Sequence, residues 1–145
     1  MFGQNYIVGR KNIKIDRAGR IILPHFTYVE PDDEIIFILS KNMDCINIFS
    51  KNDIFNKLKF LVVKQVDAKS IEEINLIQTQ IDAIQNNCYG IVTVDEQRRV
   101  LIPRELRKKI LSKNDIFVTG SIALQLPCLE IYQSEEQMIK RKNFI

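Results

Sequence analysis

The stretch that decides the fold occurs twice in the chain. Residues 15–24 read IDRAGRIILP and residues 94–103 read VDEQRRVLIP, so the two segments align without a gap and share an aspartate, an arginine and the final proline. In the first copy, Asp16 and Gly19 stand at the first and fourth positions of a type I turn, and the apolar run that follows is typical of a strand. Each copy is therefore predicted to form a tight hairpin turn and a short strand that ends at the proline.

The repeat continues beyond the hairpin. Residues 34–37 (EIIF) align with residues 115–118 (DIFV), and residues 45–49 (CINIF) align with residues 128–132 (CLEIY). The alternation of apolar and polar residues in the second pair predicts strands with one buried and one solvated face. A unit of about 45 residues cannot hold a core alone, so the two units are expected to pack together or against another chain.

The repeat also predicts how the chain is divided. We expect a single pseudo-twofold domain over residues 1–145. Its parts are a first unit at 1–50, a helical connector at 51–88, and a second unit with a carboxyl-terminal helix at 89–145.

The connector is predicted to hold two helices. The first begins near Ser50 or Asn52 and runs to about Val66. A capping box that begins at Ser70 predicts the start of the second. The second helix carries an isoleucine stripe at helical spacing: Ile71, Ile74, Ile77, Ile81 and Ile84. Two interpretations of this stripe stay open, a helical hairpin packed within the chain and an interface between protomers.

Composition excludes several classes of protein. Hydrophobic residues make up 46% and charged residues 27% of the chain, which is ordinary globular usage. The longest apolar run, residues 35–39, is far shorter than the roughly 20 residues that a bilayer requires. The amino-terminal segment lacks the apolar core of a secretion signal. We therefore expect a cytoplasmic protein with no membrane partner.

Few residues could support catalysis or bind a metal. Cys45, Cys88 and Cys128 are far apart, and His25 is the single histidine. These residues make neither a convincing zinc site nor a nucleophilic triad. We expect no enzyme activity, no catalytic residue, no metal, no cofactor and no small-molecule substrate.

Basic charge is concentrated in two short windows. The net charge is only +3, yet residues 10–20 hold five basic residues against one acidic residue, and residues 98–109 hold six against one. This distribution is typical of a polyanion site. Although a single basic turn is more often simply solvated, two copies favour a site on double-stranded DNA. The candidate DNA-binding residues are Arg10, Lys11, Lys14, Arg17, Arg20, Arg98, Arg99, Arg104, Arg107 and Lys108.

The second unit resembles a known family of DNA-binding domains. Residues 90–108 read GIVTVDEQRRVLIPRELRK and are similar to the AbrB-type swapped-hairpin domain, with its pattern D-x-x-G-R-[VI]-x-[IL]-P-x-x-[LF]-R. The tandem copies, the start MFGQNY at residues 1–6 and the two-helix connector resemble the MraZ family of transcription regulators. The resemblance implies an α+β fold, a swapped-hairpin β-barrel built from two repeats with helical connectors. It also implies that Arg20 and Arg99 contact DNA.

The chain departs from the family pattern at two places. Arg98 replaces the motif glycine, and a side chain in a left-handed turn costs about 1 kcal/mol, which leaves open a different turn in the second hairpin. Residues 25–28 (HFTY) lack the Leu-Arg that follows the proline in the second unit. By contrast, Asp16 and Asp95 are expected to hydrogen-bond their own turns and to take no part in acid chemistry.

Three functions are compatible with these observations. The favoured one is a sequence-specific, double-stranded DNA-binding transcription regulator, a repressor associated with the nucleoid. The alternatives are an antitoxin-type protein that binds both DNA and a toxin, and an assembly or adaptor protein that kept the barrel without DNA binding. We also expect a homo-oligomer, with the ring shape that the family resemblance implies, because several copies of the hairpins raise avidity for DNA.

Overall fold

The computed structural model describes residues 6–142, so residues 1–5 of the family-like start lie outside the described range. This range contains both helices and antiparallel strands, an α+β arrangement as predicted. The elements are β1 (Arg10–Lys14), β2 (Arg20–Ile22), a 3-10 helix (His25–Thr27), β3 (Glu34–Leu39), β4 (Ile46–Ser50), α1 (Lys51–Val66), α2 (Ile71–Gln85), β5 (Cys88–Thr93), β6 (Arg99–Leu101), α3 (Arg104–Ile110), β7 (Asp115–Ala123), β8 (Leu126–Tyr132) and α4 (Glu135–Lys142).

The two halves of the chain exchange strands. A six-stranded antiparallel sheet has the order β1-β7-β8-β4-β3-β5, and β2 pairs with β6 in a separate two-stranded sheet, here called the ribbon. Strand β1 of the first half pairs with β7 of the second, and β5 of the second half pairs with β3 of the first. Neither half therefore completes its own sheet.

The prediction of a closed β-barrel is wrong for this chain. Strands β1 and β5 are the two edges of the six-stranded sheet and do not pair with each other. Closure fails because the strand that follows each edge strand turns away. Strands β2 and β6 hydrogen-bond to one another and extend neither edge. The description of this exchange as the swapped hairpin of the AbrB type stays a prediction, as do the domain boundaries.

Both faces of strand β3 are buried. Residues on one face, Ile35 and Phe37 among them, join a cluster with Ile21 and Val100 of the ribbon. Residues on the other face pack against α1 and α2. Since successive side chains of a strand point to opposite faces, the sheet separates the ribbon from the helical connector. The ribbon is thereby held on the side of the sheet away from the helices.

The predicted solvated face of β4 and β8 is wrong. Asn47 and Glu130 oppose each other in the ladder and are only 5% and 4% exposed. Glu130 accepts a hydrogen bond from the Tyr132 hydroxyl at 3.0 Å and forms ion pairs with Arg141 and Lys142 of α4. This face is buried because α4 brings two cations to the carboxylate, and a buried carboxylate requires such partners.

The two connector helices occur where they are predicted. The Ser70 hydroxyl accepts a hydrogen bond from the Glu73 backbone N–H at 3.1 Å, as expected of a capping residue. Ile77, Ile81 and Ile84 of the stripe are buried within the chain, whereas Ile71 is exposed. The internal interpretation therefore holds for the carboxyl-terminal part of the stripe. Among residues 6–142, no helix combines the length and the apolar composition needed to cross a membrane.

Candidate nucleic-acid interface

The first hairpin turn is organised by the carboxylate of Asp16. Its Oδ1 accepts hydrogen bonds from the backbone N–H groups of Ala18 at 2.9 Å and Arg20 at 2.8 Å, and its Oδ2 accepts from Arg20 Nε at 3.0 Å. The Gly19 N–H donates to the Asp16 carbonyl oxygen at 3.0 Å and closes the turn. Gly19 has a φ of 89°, a left-handed conformation that glycine adopts without strain.

The second turn repeats these hydrogen bonds residue for residue. Asp95 Oδ1 accepts from the N–H groups of Gln97 at 2.9 Å and Arg99 at 2.8 Å, and its Oδ2 accepts from Arg99 Nε at 2.8 Å. Arg98 takes the place of Gly19 with a φ of 59°, and its N–H donates to the Asp95 carbonyl oxygen at 3.0 Å. The second hairpin therefore does not turn differently from the first. Arg98 adopts the left-handed conformation that the hairpin requires.

Both aspartates are held in the charged form. The backbone N–H of Arg20 lowers the pKa of Asp16, and the backbone N–H of Arg99 lowers the pKa of Asp95, with the arginine side chains adding to the effect. Each carboxylate in turn fixes its guanidinium through Nε. The prediction that these aspartates hydrogen-bond their own turns is confirmed.

The ribbon presents the two motif arginines on one exposed face. Its three cross-strand pairs are Arg20 with Leu101, Ile21 with Val100, and Ile22 with Arg99. Ile21 and Val100 are each 1% exposed, whereas Ile22 is 56% and Leu101 is 47% exposed. Because side chains alternate, the outer pairs share the exposed face, and the arginines are diagonal neighbours at about 7–8 Å. Each arginine is neutralised by its own aspartate, which reduces their mutual repulsion.

Backbone hydrogen bonds between the halves fix the ends of the ribbon. The Leu23 N–H donates to the Arg98 carbonyl oxygen at 2.9 Å, and the Ile102 N–H donates to the Gly19 carbonyl oxygen at 3.0 Å. Each left-handed residue thus binds the residue before the proline of the other half. The two turns and the ribbon therefore form one hydrogen-bonded unit with pseudo-twofold symmetry.

Sequence comparison identifies relatives of this chain. Proteins named "Transcriptional regulator MraZ" from Caldanaerobacter subterraneus subsp. tengcongensis and Thermoanaerobacter pseudethanolicus are each 28% identical to it over 132 residues, which cover 88% of the chain and 84% of each relative. A further Thermoanaerobacter strain has an MraZ protein that is 27% identical over the same length.

The chain is similar to MraZ transcriptional regulators over most of its length. The resemblance that the repeated motif predicted is confirmed by these matches, although no family model matches the chain. The turns and the ribbon are the part of this chain that carries the repeated motif.

The remaining candidate residues lie at three places around the ribbon. Lys11 and Lys14 of β1 line a groove of about 440 Å³ with His25 and Arg98. Arg17 is exposed at the tip of the first turn. Three further residues line a second groove of about 220 Å³: Arg104, Arg107 and Lys108.

One candidate lies apart from the others. Arg10 stands at the end of β1 away from the turn, forms an ion pair with Glu135 of α4, and lies 5.4 Å from the centre of the Phe117 ring. The structure therefore does not bring Arg10 together with the arginines of the ribbon.

Two residues near the interface were missed by the sequence analysis. His25 contacts the Arg98 guanidinium, with Nδ1 at 2.5 Å from Nη1 and Nε2 at 2.9 Å from Nη2. Lys113 lines the second groove. His25 could have been found, because it aligns with the basic Arg104 in the repeat, whereas Lys113 lies outside the repeated segments. Within residues 6–142, no group of three or more His, Cys, Asp or Glu side chains is placed to hold a metal ion.

Proposed function

We propose that this chain binds double-stranded DNA through the exposed face of the ribbon and regulates transcription as a sequence-specific repressor. The observation that carries the proposal is the diagonal pair Arg20 and Arg99 on a two-stranded ribbon, each held in place by an aspartate. The names of the relatives support a regulatory role. A regulator of this kind acts in the cytoplasm at the nucleoid, without enzyme activity.

The ribbon has a suitable size and chemistry for the major groove. That groove admits a two-stranded β-ribbon, and an arginine can bind guanine O6 and N7 with two donors. The aspartates use the Nε donors, and an arginine has five N–H donors, so both Nη groups of Arg20 and Arg99 remain for bases. Ile22 and Leu101 on the same face offer apolar contact to thymine methyl groups.

The flanking cations are assigned to the phosphate backbone. Lys11, Lys14 and Arg17 belong to the first half, and the second half contributes Arg98, Arg104, Arg107 and Lys108. Lysine and arginine that neutralise phosphates release condensed counterions, which makes affinity independent of sequence but sensitive to salt. Arg10 belongs to this group only as a weaker member, because it lies at the end of β1 away from the turn, where it pairs with Glu135.

A salt series tests the proposal. Binding to a fluorescent duplex from the region upstream of the chain's own gene should weaken steeply as salt rises from about 50 to 200 mM, each neutralised phosphate adding about 0.9 to the slope of log affinity against log salt. A scrambled duplex of the same composition is the control for specificity. A flat response, or no binding at low salt, contradicts DNA binding. Equal affinity for both duplexes contradicts only the claim of sequence recognition and leaves DNA binding itself intact.

The turn at Arg98 keeps the hydrogen bonds of the first turn, so the structure gives no added support to the adaptor alternative. The salt series separates an adaptor without DNA binding from a DNA-binding regulator. The antitoxin alternative is tested by whether a second protein copurifies with the chain.

We also propose a homo-oligomer, with the ring shape that the MraZ resemblance implies. Apolar side chains on α1 are exposed in the isolated chain, Phe60 and Val63 among them, and large exposed apolar patches mark interfaces. Light scattering at micromolar protein concentration should give a multiple of the mass of one chain. A Phe60→Glu/Val63→Glu variant should shift that mass toward one chain, and Lys41→Glu, at an exposed position in the turn between β3 and β4, is the control. A single-chain mass for the unmodified protein that persists with DNA present contradicts the oligomer.

A further inference from the structure

The pseudo-twofold symmetry of the ribbon is broken at two equivalent junctions. At each junction, the left-handed residue of one turn meets the segment that follows the proline of the other half. Gly19 meets α3 at the first junction, and Arg98 meets the 3-10 helix at the second. The backbone is the same at both, so the difference lies in the side chains.

At the first junction, the Arg107 guanidinium extends from α3 to the turn at Gly19. Arg107 of α3 covers Gly19 so closely that a Cβ on this glycine would overlap the guanidinium. Arg107 Nε donates to the Ile102 carbonyl oxygen at 3.2 Å, which ties the side chain to the end of the ribbon. Glycine suits this position because its φ of 89° is left-handed and because a Cβ would make the flexible Arg107 side chain shift.

At the second junction, the guanidinium reaches in the opposite direction. Residues 25–28 supply no arginine or lysine. Arg98 extends from the turn to the 3-10 helix instead, and both of its terminal nitrogens contact the ring of His25. His25 aligns with Arg104 in the repeat, so the Arg98 guanidinium lies beside the position where the other half carries a cation.

Arg98 retains this position at an energetic cost. A residue with a side chain in the left-handed region is destabilised by about 1 kcal/mol relative to glycine, and the backbone here is as left-handed as at Gly19. Residues held in such conformations are concentrated at functional sites. Arg98 is half-buried, and its guanidinium lies against the ring of the exposed His25.

The exchange leaves both ends of the ribbon basic. Arg98 lines one groove with Lys11 and Lys14, and Arg107 lines another with Arg104, Lys108 and Lys113. Lysine and arginine side chains thus lie beside both Arg98 and Arg107, although only the backbone follows the repeat. Two phosphate backbones border the major groove of DNA on its two sides, so this arrangement matches a duplex that holds the ribbon between its strands.

We propose that Arg98 and Arg107 are a functional pair that binds phosphates on opposite DNA strands, and that Arg98 supplies the contact which residues 25–28 lack. This inference rests on the proposed DNA binding by the ribbon. Under this inference, the replacement of the motif glycine by Arg98 adds a DNA contact.

Anisotropy of a short fluorescent duplex of mixed sequence, measured over a salt series, tests the pair. Arg98→Gly and Arg107→Ala should each weaken binding and reduce the salt slope by about 0.9, the value for one phosphate. The exchange variant R98G/H25R, which moves the arginine from the turn to the post-proline segment, should recover both the slope and the affinity. Lys69→Ala, a surface lysine of the connector, is the matched control and should change neither.

The outcomes separate the inference from the proposed function. A wild-type salt slope in Arg98→Gly, together with a loss of binding in Arg20→Ala, overturns the pair and leaves the function intact. If Arg98→Gly weakens DNA binding and R98G/H25R does not restore it, the claim that Arg98 replaces a cation of residues 25–28 is overturned. Absence of binding by the unmodified protein overturns both. Urea unfolding checks each variant, and Arg98→Asn, an uncharged residue that tolerates the left-handed turn, removes the charge without the added chain flexibility of glycine.

Discussion

Replacing Arg20 and Arg99 together by alanine should lower the affinity for operator DNA by about 2 to 6 kcal/mol, on the order of thirtyfold to ten-thousandfold. Each arginine that reads a guanine is worth about 1–3 kcal/mol, and diagonal neighbours on the ribbon would read different base pairs, so the losses should nearly add. The measurement is anisotropy with the upstream duplex at fixed salt. Folding should persist, because exposed ion pairs such as Arg20 with Asp16 contribute at most about 1 kcal/mol.

Two further variants make this result specific. Arg10→Ala removes a cation of the same window that lies at the far end of β1, so it should weaken binding far less. Arg99→Lys keeps the charge but loses the two-donor fork, so it should lose discrimination between operator and scrambled DNA more than total affinity. If Arg10→Ala weakens binding as much as Arg20→Ala, only diffuse charge matters and the assignment of the motif arginines is wrong.

Replacing Ile21 by alanine should destabilise the fold by about 2–5 kcal/mol, the range for removing a large aliphatic side chain from a core. Ile21 is 1% exposed, faces Val100 across the ribbon, and packs in the same cluster as β3. The cavity lies under the ribbon, so the arginines above it should lose their fixed positions as the ribbon loosens. Urea unfolding followed by circular dichroism gives the free energy of unfolding.

The neighbouring residue on the same strand is the matched control. Ile22 is 56% exposed, and Ile22→Ala should change the free energy of unfolding by no more than about 0.5 kcal/mol. Any weakening of DNA binding by Ile22→Ala then reports a contact and not instability. Equal destabilisation by the two variants would show that the ribbon does not have the buried and exposed faces described here.

The hairpin turns could be predicted from the sequence because their causes are local. An aspartate at the first turn position binds the backbone two to four residues later, whatever the rest of the chain does. The connector helices were predictable for the same reason, since Ser70 caps its own helix. The basic windows also hold most of the residues that we assign to the proposed interface.

Features that depend on distant residues could not be predicted in this way. Alternation in Leu129-Glu130-Ile131 predicts a polar face but cannot reveal that Arg141 and Lys142 cover it. A short run such as Arg20–Ile22 indicates a strand but not its partner, so the pairing of β2 with β6 and the open sheet were missed. The left-handed Arg98 shows that a backbone requirement can outweigh the preference of the residue that meets it.

The exchange of strands has a consequence for the nascent chain. Thr119 bonds to Gly9, 110 residues earlier, and β5 pairs with β3, so the first half cannot complete its sheet until the second half has left the ribosome. Folds with such high contact order form slowly, in milliseconds to seconds. The entropy cost of closing a long loop arises before the distant contacts that stabilise the fold have formed. During synthesis the unpaired edge of β3 resembles any open sheet edge and invites pairing with another chain. The interval between translation of β3 and translation of β5 is therefore when this protein is most exposed to aggregation.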